Sequence, residues 1–168
     1  PPAWWPSGEG AWGCMMSHQK IAQDALMRGL ENYVVFEDDA VFSDDFTERL
    51  PQVMESLDKL DGNWDMFYLG GQHLVERGQP FPIHGTDLLK CVNINRTHAL
   101  AVNARFFLKF SQHIIHAPDY IENASKGYTM HLDHQLGELH PYISCIAPDQ
   151  WLCGQAEGRS TIESKTNR

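Results

Sequence analysis

Three consecutive carboxylates, Glu37, Asp38 and Asp39, follow the apolar run Tyr33-Val34-Val35-Phe36, and Asp44 and Asp45 come close behind. Packed carboxylates repel one another unless a cation or water relieves them. Mg²⁺ and Mn²⁺ take oxygen ligands and use only one or two protein carboxylates, leaving substrate phosphates and waters to complete the octahedron. The triplet supplies that number. Side chains alternate along an extended chain, so Glu37 and Asp39 can face one side and Asp38 the other. The competing reading is a solvated acidic turn that caps the next helix.

The elements around the triplet place it at the carboxyl end of a strand. The first residues are rich in Pro, Gly and Trp and read as irregular over 1–12. Ser17 then fits the N-cap of a helix from about His18 to Leu30, with Ile21, Ala22, Ala25, Leu26 and Leu30 on one face. Tyr33 to Phe36 is a continuous apolar run of the kind found in a buried central strand. Asp44 or Asp45 can cap a second helix that runs through Pro51 to about Leu60, and 64–69 reads as a strand after the turn Asp61-Gly62-Asn63. Residues 72–87 carry glycines and prolines without periodicity and read as a long loop. Strands over 88–92 and 97–102, a helix over 104–115, a short helix within 128–139 and a last strand over 142–147 follow, with a polar tail from 155 to 168. This alternation predicts one α/β domain over 1–168 with a mixed, mainly parallel sheet flanked by helices, whose ligands bind at the carboxyl ends of strands.

Bulk properties narrow the chemistry. The 168 residues suit one ordinary domain, and the 42% hydrophobic and 21% charged shares are those of a globular chain. A net charge of −9 disfavours nucleic acid as a ligand, and the apolar runs fall short of a membrane span. Cys14, Cys91, Cys145 and Cys153 form no CxxC pair and sit beside apolar residues, which favours buried reduced thiols over disulfides or a zinc site. Asn95-Arg96-Thr97 and Asn123-Ala124-Ser125 fit the N-glycosylation tripeptide.

Gly13-Cys14-Met15-Met16-Ser17-His18, a helix, and then Tyr33-Val34-Val35-Phe36-Glu37-Asp38-Asp39-Ala40 resemble glycosyltransferase family 25, which includes bacterial lipooligosaccharide and collagen galactosyltransferases. Further similar pieces stand in order at 64–70, 96–102, Leu132-Asp133, 148–155 and Ser160-Thr161-Ile162. The resemblance implies a single GT-A-like domain that binds a nucleotide sugar, a UDP-sugar, with Mn²⁺ or Mg²⁺. It implies transfer to a hydroxyl of a glycan, lipid-linked glycan or protein, and, by the bacterial members, a cytoplasmic protein peripheral to the inner membrane. It also implies an opening strand that contacts the nucleotide base, and nothing before Trp4 reads as that strand.

Sugar transfer asks for a Lewis acid on the leaving diphosphate and, for inversion, a base for the acceptor hydroxyl. On this resemblance Asp39 is the first metal ligand and Glu37 or Asp38 the next contact, direct or through water or ribose. Asp133 is the candidate base, with a helix-start carboxylate as its structural alternative. His131 or His134 is a candidate second ligand. Ser17 and His18 are adjacent and so make a poor nucleophile and base pair; the resemblance puts them on the donor side. Arg96 would offset diphosphate charge or pair with surface acids. Gln155 and Ser160 are further site candidates, and a Trp near the entrance would stack on a sugar face. A non-catalytic sugar- or metal-binding module and a metal-dependent phosphoesterase are the alternatives, the latter requiring more converging ligands than the spacing offers.

Overall fold

A computed structural model of the chain describes residues 1, 3, 5, 8–115 and 131–156. Helix α1 spans Gly8–Met27, strand β1 Asn32–Phe36, β2 Ala40–Phe42, α2 Phe46–Asp58, β3 Met66–His73, β4 Phe81–Pro82, β5 Leu88–Lys90, β6 Ile94–Asn103, α3 Ala104–Ile115, α4 Leu132–Leu139, β7 Cys145–Pro148 and β8 Cys153–Gln155, with 3₁₀ turns at Val75–Arg77 and His140–Tyr142. Six strands form one sheet in the order β1-β6-β3-β7-β5-β4, and β2 pairs with β8 separately.

The fold is α/β with a mixed sheet flanked by helices, consistent with a GT-A-like domain. The expectation of a mainly parallel sheet is corrected: β3 and β7 are its parallel pair, and the other pairings are antiparallel. The cause is β6. Strands β1 and β3 run in the same direction with α2 as their crossover, as the alternation implied, but β6 inserts between them antiparallel to both. The short β4–β5 link likewise permits only an antiparallel pair.

Strand β3 sits mid-sheet and is buried on both faces. Met66 and Tyr68 join a cluster with Phe106, Phe107 and Phe110 of α3, Leu132 and Leu136 of α4, and Met15 and Ala22 of α1. Phe67 and Leu69 point the other way, to Val53 and Leu57 of α2 with Trp64, Ile146 and Leu152. Period-2 alternation thus feeds two cores. Each of the three α3 phenylalanines, at most 2% exposed, contributes about 1.5–3 kcal/mol by burial.

Several local expectations shift. Helix α1 begins at Gly8, so part of the stretch read as irregular is helical, and Ser17 is an exposed interior residue instead of an N-cap. Packing explains this: Ala11 and Met15 are buried against α3, and tertiary contact outweighs the poor helix propensity of Gly10 and Gly13. Strand β1 is an edge strand among the described residues, not a central one. Tyr33 packs on Phe107 while Val34 and Phe36 are 50% and 40% exposed. Asp45 holds the N-cap position of α2 without a side-chain cap bond, and Pro51 is accommodated inside that helix. The loop over 72–87 contains the end of β3, a 3₁₀ turn and β4. All four cysteines are free thiols, with Cys14 partly exposed and the rest buried. Ser160-Thr161-Ile162, Asn123, Trp4 and the start of the expected 128–139 helix lie outside the described residues.

Candidate functional site

Because β6 runs antiparallel to β1, with Phe36 opposite Ala99, the start of β6 lies beside the carboxyl end of β1. The Glu37 amide donates to the His98 carbonyl at 2.9 Å, carrying the ladder one residue past the strand. The far end of β3 arrives at the same edge, where Gln72 pairs with Asn95. The amino end of α4 and the end of β8 complete a cavity of about 300 Å³ lined by Glu37, Gln72, Arg96, Thr97, Asp133 and Gln155, with Cys14, Asn95, His131 and His134 also on its wall.

Glu37 is held from two sides. Thr97 Oγ1 donates to its Oε1 at 2.7 Å, and His18 Nε2 lies 3.2 Å from the same oxygen. Burial by itself raises the Glu37 carboxyl, but the hydrogen bonds from His18 and Thr97 and the nearby imidazoles of His18 and His98 outweigh it. The net result is a value below the ordinary carboxylate one. Cys14, one turn before His18 on α1, has its Sγ 4.0 Å from Glu37 Oε1. Burial, and next the Glu37 charge, push that thiol up to about 12, so it is a neutral SH at physiological pH and not a thiolate nucleophile.

Asp39 stands on the turn between β1 and β2. Its Oδ2 accepts a 2.8 Å bond from Gln155 Nε2, and its carbonyl accepts the Ala156 amide at 2.8 Å. The pairing of Ala40 with Gln155 in the β2–β8 ribbon makes that contact. Asp39 Oδ1 is buried and has no hydrogen-bond partner, which leaves one carboxylate oxygen with its lone pairs unused. A hard divalent cation takes such an oxygen, and Asp38 next to it is exposed. The unpartnered Asp39 oxygen fits a single-carboxylate contact to Mn²⁺ or Mg²⁺.

Asp133 lies in the first turn of α4 on the cavity wall. Its Oδ2 accepts the Arg96 amide at 3.1 Å and its Oδ1 the His134 amide at 2.9 Å. Each oxygen keeps a second lone pair. Arg96 has φ of 74°, a left-handed backbone that L residues rarely adopt, and Asp133 holds its amide in place there. His131 precedes α4, its ring 6.0 Å from that of His134.

The sequence-derived candidates Glu37, Arg96, His131, Asp133 and Gln155 thus share one cavity wall, while His18 and Asp39 sit behind it in contact with Glu37 and Gln155 respectively. Asp38 and Ser17 are exposed and outside the lining. Among the described residues, the group of three metal-ligating side chains with atoms within 4.8 Å of one another is Cys14, His18 and Glu37; His131 and Asp39 do not belong to it. Sequence reasoning missed Cys14 and Thr97 as site residues. The available signal was the i, i+4 spacing of Cys14 and His18, which puts both on one helical face.

Behind the cavity, Gly70 lets His98 approach. A Cβ there would stand 2.5 Å from His98 Nε2 and 2.4 Å from the Cys153 carbonyl oxygen. Buried His98 has its basicity lowered by desolvation. At the mouth of β3, His73 stacks on Trp151 with centroids 4.7 Å apart.

Comparison with known sequences gives the context. The model of glycosyltransferase family 25, described as LPS biosynthesis protein, matches residues 7–125. Inactive glycosyltransferase 25 family member 3 of Mus musculus is 44% identical over 62 residues, which is 37% of this chain and 10% of that protein. Procollagen galactosyltransferase 1 of Danio rerio is 36% identical over 73 residues, 43% of this chain and 12% of that protein. Procollagen galactosyltransferase 1-A of Xenopus laevis is 34% identical over 79 residues, 46% of this chain and 13% of that protein. The chain thus matches only a small fraction of the length of these relatives. Among the described residues, no helix is long and apolar enough to cross a membrane.

Proposed function

The chain belongs to glycosyltransferase family 25, and on that premise we propose that it forms the donor site of a metal-dependent glycosyltransferase. The donor is a nucleotide sugar, a UDP-sugar, and the acceptor is a hydroxyl of a glycan, lipid-linked glycan or protein. The observation that carries this reading is the Asp39 carboxylate: one oxygen is fixed by Gln155 and the other is buried without a partner, behind a polar cavity at the carboxyl end of β1.

Asp39 would hold the cation through Oδ1, and Glu37 would bind the donor from the cavity wall through the oxygen left free by Thr97 and His18. A bound Mn²⁺ or Mg²⁺ supplies Lewis-acid stabilisation to the negative charge of the departing diphosphate. Arg96, exposed at the same wall, adds a positive charge that would offset the diphosphate. Asp133 orients the acceptor hydroxyl and takes its proton on a carboxylate oxygen, while the Arg96 and His134 amides keep that carboxylate aimed. His131 is left as a polar wall residue that contacts substrate.

The second reading is a non-catalytic sugar- or metal-binding module. The observation favouring it is that several similar relatives, the mouse protein among them, carry the description inactive. Calorimetric titration of UDP with and without Mn²⁺, on the wild type and Asp39→Asn, tests the donor site. Metal-dependent binding that Asp39→Asn abolishes is expected, and equal binding by the variant would refute the site. Screening UDP-sugars for turnover then separates the enzyme from the module.

A further inference from the structure

Beyond the donor site, we propose that Cys14, His18 and Glu37 form a second cation site, selective for a thiophilic divalent ion such as Zn²⁺. The set shares one carboxylate with the acidic triplet and nothing else. Cys14 and His18 are one turn apart on α1, on the face turned to the end of β1. Their ligand atoms and a Glu37 oxygen lie within 4.8 Å of one another.

The spacing suits tetrahedral coordination. Zn²⁺ bonds of about 2.3 Å to sulfur and about 2.0–2.1 Å to nitrogen and oxygen place neighbouring ligand atoms roughly 3.2–3.6 Å apart. The His18 Nε2 to Glu37 Oε1 distance is 3.2 Å, and Cys14 Sγ to the same oxygen is 4.0 Å. Closing the latter asks the sulfur to move by about half an ångström. Thr97 orients the carboxylate, as hydrogen-bond donors behind metal ligands do. Three protein ligands leave a fourth position, and Cys14 and Glu37 both line the cavity, so water or a substrate atom can fill it.

Ligand chemistry separates the two sites. Sulfur and imidazole favour Zn²⁺ over Mn²⁺, whereas Asp38 and Asp39 offer oxygen alone. On binding, bonds from zinc to Cys14 Sγ, His18 Nε2 and Glu37 Oε1 form, the Cys14 proton leaves to solvent, and the proton that His18 Nε2 turned toward Glu37 moves to the unpartnered Nδ1 of the same ring. The ion's fourth position opens into the cavity that would hold the donor, so Zn²⁺ competes with donor binding.

Co²⁺ and Zn²⁺ titrations of the 168-residue chain test this. The expected result with Co²⁺ is the intense near-ultraviolet charge-transfer band of a thiolate ligand, saturating at one equivalent per chain. The band should vanish in Cys14→Ser, Zn²⁺ affinity should fall in His18→Gln by more than the roughly 10–100-fold that loss of a partner behind a ligand costs, and Asp39→Asn should retain both. Absence of the band in wild type, or its survival in Cys14→Ser, overturns the site. Alkylation of Cys14 read by peptide mass spectrometry needs no variant: Zn²⁺ should slow it, and an unchanged rate overturns the site as well. Because Asp39→Asn removes the donor site and spares this one, failure of either proposal is recognisable separately.

Discussion

Replacing His140 with Leu tests how the cavity walls are tied together. His140 is fully buried just past the end of α4. Its Nδ1 accepts the Ile94 amide at 3.1 Å, which leaves the proton of the neutral ring on Nε2 to donate to Tyr68 Oη at 3.0 Å. The imidazole therefore links the helix that carries Asp133 to the first residue of β6 and to β3. His140→Leu leaves the Ile94 N–H and the Tyr68 hydroxyl buried without that partner, at roughly 1–3 kcal/mol each, so a loss of about 2–6 kcal/mol is expected at pH 7.5. Burial, and next the Lys90 charge, lower the His140 pKa from 6.5 to about 3. The folded value lies below the unfolded one, so this stabilisation is complete above pH 6.5 and declines as the pH falls toward 3. Wild type should lose about 1.4 kcal/mol per pH unit in that window through this ring, a loss the Leu variant cannot show. The stability gap should therefore narrow by about 2 kcal/mol between pH 7.5 and 5.0. Urea denaturation of both proteins at several pH values, followed by tryptophan fluorescence, measures the gap. A gap that stays constant between pH 7.5 and 5.0 would refute a buried neutral imidazole, and a Leu variant as stable as wild type at pH 7.5 would refute its bridging role.

Gly70→Ala places a methyl 2.4 Å from the Cys153 carbonyl and 2.5 Å from His98 Nε2, and thermal denaturation should show a loss of about 1–3 kcal/mol. Gly13→Ala, on α1 with nothing within 4 Å of the added carbon, should instead stabilise by up to about 1 kcal/mol in the same assay, and a loss would show that the glycine serves close packing. Thr97→Val removes one of the bonds that offset the burial of Glu37, so its carboxyl should titrate at higher pH in carbon-detected NMR. Since a depressed carboxylate stabilises above its unfolded value of 4.5 and loses that effect as pH falls, this variant should also show weaker acid destabilisation. An unshifted Glu37 titration would rule out Thr97 as a determinant.

The acidic triplet at the end of an apolar run, the helical spacing of Phe106, Phe107 and Phe110, and the α/β alternation are local patterns, and a linear sequence carries them whole. They placed β1, α2 and α3 with boundaries close to those observed. Strand direction was not legible in the same way. The βα alternation sets β1 and β3 in one direction, but nothing local to 94–103 says that this segment will insert between them, because pairing partners are chosen by long-range burial. That insertion brings Thr97 to Glu37 and Arg96 to Asp133. The same limit hid the β2–β8 ribbon, whose strands stand more than a hundred residues apart and whose closure alone gives Asp39 its Gln155 partner. Sequence thus determined which side chains were available at the end of β1. Tertiary pairing decided which of their oxygens are satisfied and which one, Asp39 Oδ1, is left open, because a hydrogen bond between distant residues exists only once the sheet has fixed their positions.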